Sequence, residues 1–204
     1  LKEKAGVERL VILGNSGGGS LMGAYQSQAL GVTMTPTPGL SLPEGLNDLI
    51  PADFYISLCA HIGRPEVLTA WCDPSVIEES DPANIDPDLN MYDSANGPPY
   101  SKGFIARYRA AQEARNHRIT NWCHAELDRL EKKGMFDRAF NFYRTWADLR
   151  LMDGTIDPSK REVGRCYAGD PKKANFSPRG IGLTNTLRTW LSMWSLKDSH
   201  CRGA

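Results

Sequence analysis

Leu10 to Leu13 is an unbroken apolar run that stops at Gly14. A run this short predicts a strand covered on both faces, as in a parallel sheet. From Ser20 to Leu30 the apolar positions return at helical spacing. The glycines between them therefore mark a strand-to-helix turn. Residues 31–51, rich in Pro, Gly and Thr, read as loop, and Asp53 to Ala60 reads as a second buried strand. His61-Ile62-Gly63-Arg64 breaks that run, and Pro65 opens a helix through Trp71. Ahead of all this, Leu1 to Gly6 has the pattern of a last helical turn with Gly6 as its C-terminal cap.

The character changes at Asp73. Five prolines between Pro74 and Pro99, among acidic residues and asparagines, predict a long loop or linker to Tyr100. Ser101 to Lys133 is the longest helical pattern, with Phe104, Tyr108, Ala111, Ile119, Trp122 and Leu130 near one stripe. Phe136 to Met152 reads as an aromatic-rich helix, 153–182 as a locally basic loop, and Thr184 to Leu196 as a final helix capped by Thr184. No strand is expected between residues 183 and 204.

Charge and cysteine content narrow the chemistry. Lysine plus arginine equals aspartate plus glutamate, so bulk charge gives no reason to expect a nucleic acid or an anionic membrane as partner. The five cysteines (Cys59, Cys72, Cys123, Cys166 and Cys201) are odd in number and widely spaced, with no CxxC. Free thiols in a reducing, cytoplasmic setting are expected, with no metal site. No apolar run reaches the roughly 18 residues of a membrane span. Asn175-Phe176-Ser177 matches the glycosylation sequon, a pattern common by chance.

Three readings compete for Gly14-Asn15-Ser16-Gly17-Gly18-Gly19. A phosphate cradle needs a lysine after the glycines or a G-x-G-x-x-G spacing, and the chain has neither, since Gly17, Gly19 and Gly23 are spaced one residue too long. GNSGG resembles the GDSGG of chymotrypsin-like peptidases, but there the fold is all-β, and here a helix follows. The third reading is a nucleophile elbow, G-x-S-x-G between a buried strand and a helix. In it Ser16 sits on a strained turn, with the small residues Gly14 and Gly18 two positions to either side. Its Oγ is lifted into the open, and the Gly17 N–H faces a developing oxyanion.

At these residues, with the helix to Ala29 and the strand Phe54 to Ala60, the sequence resembles the α/β-hydrolase superfamily. The resemblance implies an α/β fold: a hydrolase-like parallel sheet portion at 1–64, a large α-helical cap at 65–182, and a helix returning to the core at 183–204. It implies a serine hydrolase that cleaves an ester, amide or thioester of a small acyl substrate through an acyl-enzyme. Ser16 would be the nucleophile and Gly17 half of the oxyanion hole, with Gly14, Asn15 and Gly18 forming the elbow, and no cofactor.

In that superfamily the acid and the histidine follow later strands, and the oxyanion loop precedes the nucleophile strand. The expectation is therefore a stretch from the middle of a longer hydrolase, lacking acid and base and inactive by itself. His61 and Arg64 are read as lining the site mouth, with Arg64 read as a solvated charge before a binder of a substrate carboxylate. His117 and His124 read as helix-surface or packing residues, and His200 as a remote candidate for the base. Trp122, Trp146, Trp190 and Trp194 read as helical core before acyl pocket. The other reading of the whole is a non-catalytic α/β binding module whose glycine loop is structural or holds an anion. The sequence does not fix an oligomeric state.

Overall fold

The computed structural model describes residues 2–97, 99–145 and 183–199. It divides into two units, one of Leu1–Val67 with Arg188–Ala204 and one of Leu68–Leu187. Trp146, the Asn175 sequon, Cys166, His200 and Cys201 lie outside the described residues.

The first unit opens with a helical turn, α1 (Lys2–Ala5), closed by Gly6 at φ 63°. Strand β1 (Val11–Asn15) leads into helix α2 (Gly17–Leu30), and strand β2 (Phe54–Leu58) runs parallel to β1 with Val11 opposite Phe54 and Asn15 opposite Leu58. A parallel pair needs a crossover to return the chain, and α2 with residues 31–51 supplies it. Polar side chains fasten that crossover. Gln26 bonds both the N–H and the C=O of Ala52 at 2.9 Å, and Tyr25 donates to the Ile50 carbonyl at 2.7 Å. Asp53 accepts the Leu10 N–H at 2.6 Å, which sets the start of the register.

Helix α2 approaches the sheet where glycines let it. A Cβ on Gly14 would lie 2.6 Å from the Gly18 carbonyl oxygen, and one on Gly19 would lie 2.0 Å from the Ala60 Cβ. Gly18 differs: a Cβ there meets nothing within 4 Å. The second small residue that the close approach demands is thus Gly19, one position beyond the elbow motif. On the other side of the pair, Val11, Leu13, Phe54, Ile56 and Leu58 are all exposed, so the expectation of strands covered on both faces fails: a two-stranded sheet with one helix against it leaves its other face open.

The second unit is built on one long helix, which follows α3 (Arg64–Trp71) and an antiparallel hairpin of β3 (Val76–Glu78) and β4 (Asp81–Ile85). Helix α4 spans Lys102–Glu131, and the Ser101 hydroxyl caps it by accepting the Phe104 N–H at 3.0 Å. Tyr100, Phe104 and Tyr108 stack in series with Met91 to form one apolar cluster. Further along, polar residues share the buried face with Ile119, Cys123, Leu127 and Leu130. The fully buried Arg115 donates to both oxygens of Glu79 at 2.9 and 2.6 Å and to the carbonyls of Asp73 and Tyr143 at 2.8 Å, with its guanidinium 4.5 Å from the centre of the Phe142 ring. Asp73 in turn pairs with the buried Arg144 at 2.9 Å. Strands β5 (Ala139–Phe142) and β6 (Leu183–Thr186) form a second antiparallel pair. A helical turn, α5 (Leu187–Thr189), leads out of the second unit at Leu187, and a π-helical turn, Trp190–Trp194, belongs to the first.

The expected α/β-hydrolase-like sheet is overturned. Among the described residues there are three two-stranded sheets, one parallel and two antiparallel. The physical reason is supply: the chain offers two buried-type apolar runs, and these pair with each other alone. Three local readings also fail. The proline-rich stretch after Asp73 contains the β3–β4 hairpin, held where Arg118 donates to the Val76 carbonyl and Arg144 to the Pro82 carbonyl. Residues 139–142 are strand because Phe140 and Phe142 alternate with polar Asn141, a period of two that the surrounding aromatic residues hide. The final helix begins only after Thr186, since 183–186 pairs with β5.

Two outcomes are expected. In urea unfolding Gly19→Ala destabilises by at least about 1–3 kcal/mol, the usual range for overpacking, while Gly18→Ala stays within about 0.5 kcal/mol. The second concerns acid. Hydrogen bonds from Arg129, and also from Arg138, hold the Glu126 carboxyl at about 2 against an ordinary 4.5, despite opposing desolvation. The unfolded chain therefore takes up this proton first. The stability Glu126 contributes is present above pH 4.5 and is lost as pH falls towards 2. Acid titration should weaken the wild type more steeply over that window than Glu126→Gln.

Candidate active site

Ser16 stands between β1 and α2 with φ 54° and ψ −124°, a conformation L-residues rarely adopt. Such strain costs about 1–3 kcal/mol and persists only where the surroundings over-determine it. Here three backbone bonds do so. The Ser16 N–H donates to the Leu58 carbonyl at 3.1 Å. The Ser16 carbonyl accepts from Gly19 at 2.9 Å and from His61 at 3.0 Å. The corner is thus tied forward to its own helix and across to the end of β2.

A serine before a helix ordinarily spends its hydroxyl on capping. Ser16 makes no such bond, and it is exposed. Its Oγ lies 3.4 Å from His61 Nε2, a long contact of the kind that tightens when substrate binds. His61 arrives there because Cys59, at φ 46°, turns the chain at the end of β2, and because the His61 N–H is anchored on the Ser16 carbonyl. One bond thus positions both partners. The other ring nitrogen of His61, Nδ1, is buried and meets no hydrogen-bond partner among the described residues.

Gly17 is the first residue of α2, so its N–H has no partner within the helix. The helix carries the usual partial positive charge at this end, and its first turn holds no acidic residue. Arg64, the first residue of α3, brings its guanidinium over Gly17: Nη2 would stand 3.5 Å from a Cβ there. Asn15 is exposed at the end of β1, and Gly14 is buried. The structure thus gathers Ser16, Gly17, His61 and Arg64 at the carboxyl ends of the two parallel strands, where ligands bind in open parallel sheets.

The remaining candidates fall elsewhere. His117 is exposed and His124 half-buried on α4. Burial pushes the thiols of Cys72 and Cys123 up to about 12, so neither is a nucleophile at neutral pH. No cluster of potential metal ligands occurs among the described residues. Trp122 is exposed and packs edge-on against Phe140, whereas Trp190 is fully buried. A cavity of about 560 Å³ lies within the second unit, walled by Trp122, Phe140 and Tyr143 with Arg118 and Glu78 beside them. Among the described residues no helix is long and apolar enough to cross a membrane.

The sequence pointed to Ser16 through its motif and to His61 only as lining. The missed signal was small size: Ala60 precedes His61 and Gly19 ends the glycine run, and the contact between these two lets the loops meet.

Strain at Ser16 makes a stability test available. Ser16→Gly should be more stable than Ser16→Ala by about 1 kcal/mol in urea unfolding, because glycine alone adopts this corner freely. Equal stabilities would mean a relaxed corner in solution. Comparison of the chain with protein-family models, with curated proteins and with solved structures gives no match, so the chemistry of the site rests on its geometry.

Proposed function

We propose that this chain carries a serine hydrolase centre that cleaves an ester, amide or thioester of a small acyl substrate. The observation that carries the reading is the Ser16 corner: an exposed, uncapped hydroxyl on a strained turn, 3.4 Å from His61 Nε2. Ser16 Oγ attacks the carbonyl carbon as His61 Nε2 takes its proton. The carbonyl electron pair moves onto oxygen, beside the Gly17 N–H. Collapse of the intermediate breaks the bond to the leaving group, which takes the proton from His61. Water, activated by the same ring, then releases the acid from Ser16.

The proposal takes its base from this chain, in place of one expected from later strands, and the 3.4 Å contact between Ser16 Oγ and His61 Nε2 supports that choice. His61 lacks an orienting acid among the described residues. Removing that acid from a triad costs about 10⁴-fold in turnover, so slow acylation is the consequence. Among the described residues Cys59, Cys72 and Cys123 are free thiols, in keeping with a reducing setting.

A neutral fluorophosphonate probe tests the reading. Intact-mass and peptide mapping should find one adduct on Ser16, absent from Ser16→Ala and formed about 10²-fold more slowly in His61→Ala. Absence of the adduct in the wild type, or its persistence in Ser16→Ala, rejects the proposal and favours a binding module.

A further inference from the structure

We infer that Arg64 is a catalytic residue of this site: its guanidinium is the second donor to the oxyanion, opposite the Gly17 N–H. The inference rests on the serine hydrolase reading and goes beyond it by completing the oxyanion hole from the chain's own residues.

Distance supports it first. Two donors that share one oxygen, each 2.7–3.1 Å away, stand no more than about 6 Å apart. An amide nitrogen and the Cβ of the same residue are about 2.5 Å apart in standard geometry. With Arg64 Nη2 at 3.5 Å from that Cβ position, the guanidinium falls within about 6 Å of the Gly17 nitrogen. A Cβ at position 17 would itself be in ordinary contact with the guanidinium, which shows how closely Arg64 approaches this residue.

Availability supports it second. Arg64 is exposed, and among the described residues no carboxylate pairs with it. Other arginines of the chain are consumed: Arg115 and Arg118 by Glu79, Arg129 and Arg138 by Glu126, Arg144 by Asp73. Arg64 is a permanent cation beside a helix N-terminus whose first turn carries no acid to neutralise it.

Delivery supports it third. The loop that follows β2 places His61 at the Ser16 hydroxyl and, three residues on, Arg64 over Gly17. The loop is held at both ends, by the His61 N–H on the Ser16 carbonyl at 3.0 Å and by the Val67 N–H on the Gly63 carbonyl at 3.2 Å as α3 begins. The backbone that carries base and cation is thus held relative to the nucleophile by one short segment. In the acylation step the negative charge that appears on the carbonyl oxygen is shared between the Gly17 N–H and the Arg64 guanidinium. It returns to the carbonyl when the leaving group departs.

The test compares Arg64→Ala and Arg64→Lys with the wild type, using the neutral fluorophosphonate and a neutral p-nitrophenyl ester. Circular dichroism first establishes that each variant is folded. Arg64→Ala should slow labelling of Ser16 and acylation by the ester about 10²-fold, the usual effect of losing one oxyanion donor, with KM little changed. Added guanidinium ion should restore part of the rate, and Arg64→Lys should fall between the two. Labelling and acylation by Arg64→Ala within threefold of the wild type overturn the inference. So does a loss confined to KM, seen when a p-nitrophenyl ester bearing a carboxylate is run beside the neutral one, which makes Arg64 a substrate-charge binder instead. If wild-type Ser16 does not label at all, the hydrolase reading fails and this inference falls with it; if Ser16 labels normally in Arg64→Ala, only this inference falls.

Discussion

Backbone meets backbone where α2 crosses β1, and that contact governs the first unit. Gly14 and Gly19 leave no room for a Cβ, so the helix can descend onto the strand at a distance no other residues permit. A chain entering a helix that close has little choice of path, and the residue at the junction takes up the sharp turn. Ser16 bears the strain, stabilised by bonds to Leu58, Gly19 and His61. The exposed hydroxyl is therefore a by-product of packing before it is an instrument of chemistry. The same crowding brings Ala60 against Gly19 and so fixes where His61 begins its loop.

The second unit is ordered by a different force. Arg115 sits inside it without exposure and ties α4 to the hairpin, to the carbonyl of Asp73 and to the segment after β5. A buried ion is strongly destabilising when its partners are removed, by about 3–5 kcal/mol, so such a node specifies one arrangement more than it adds stability. Apolar stacking fills the start of α4, and beyond it buried polar groups are interleaved with Ile119, Cys123, Leu127 and Leu130. Tyr100, Phe104 and Tyr108 pack at its start, and Gln112, Arg115, Asn116, Thr120 and Glu126 are buried beyond.

This division explains how much of the molecule could be read from its sequence. Gly6, β1, α2, β2, α3 and α4 were legible because their signals are local: a cap, an apolar run, a helical stripe. The buried stripe of α4 was legible only in part, since Arg115 and Gln112 are inside for reasons of hydrogen bonding that hydropathy does not register. Trp122 fell on the expected stripe yet is exposed. Strands β5 and β6 were missed because each pairs with a segment distant in the chain, Ala139 with Thr186, whereas β3 and β4 pair locally but lie in a proline-rich stretch whose composition reads as loop. At the site, Ser16 was legible from its motif. The approach of His61 was not, because it depends on a methyl group meeting a glycine across 41 residues of sequence, from Gly19 to Ala60.

The outward side of the β1–β2 pair has its own consequence. Val11, Leu13, Phe54, Ile56 and Leu58 form a continuous greasy panel, and each of the two strands has one unpaired edge among the described residues. Panels of this kind recruit like panels, and open rims template further strands. Colloidal behaviour in concentrated preparations will be dictated by five side chains remote in role from any reaction, and charged substitutions there are the lever on shelf life that leaves Ser16 and its neighbours undisturbed.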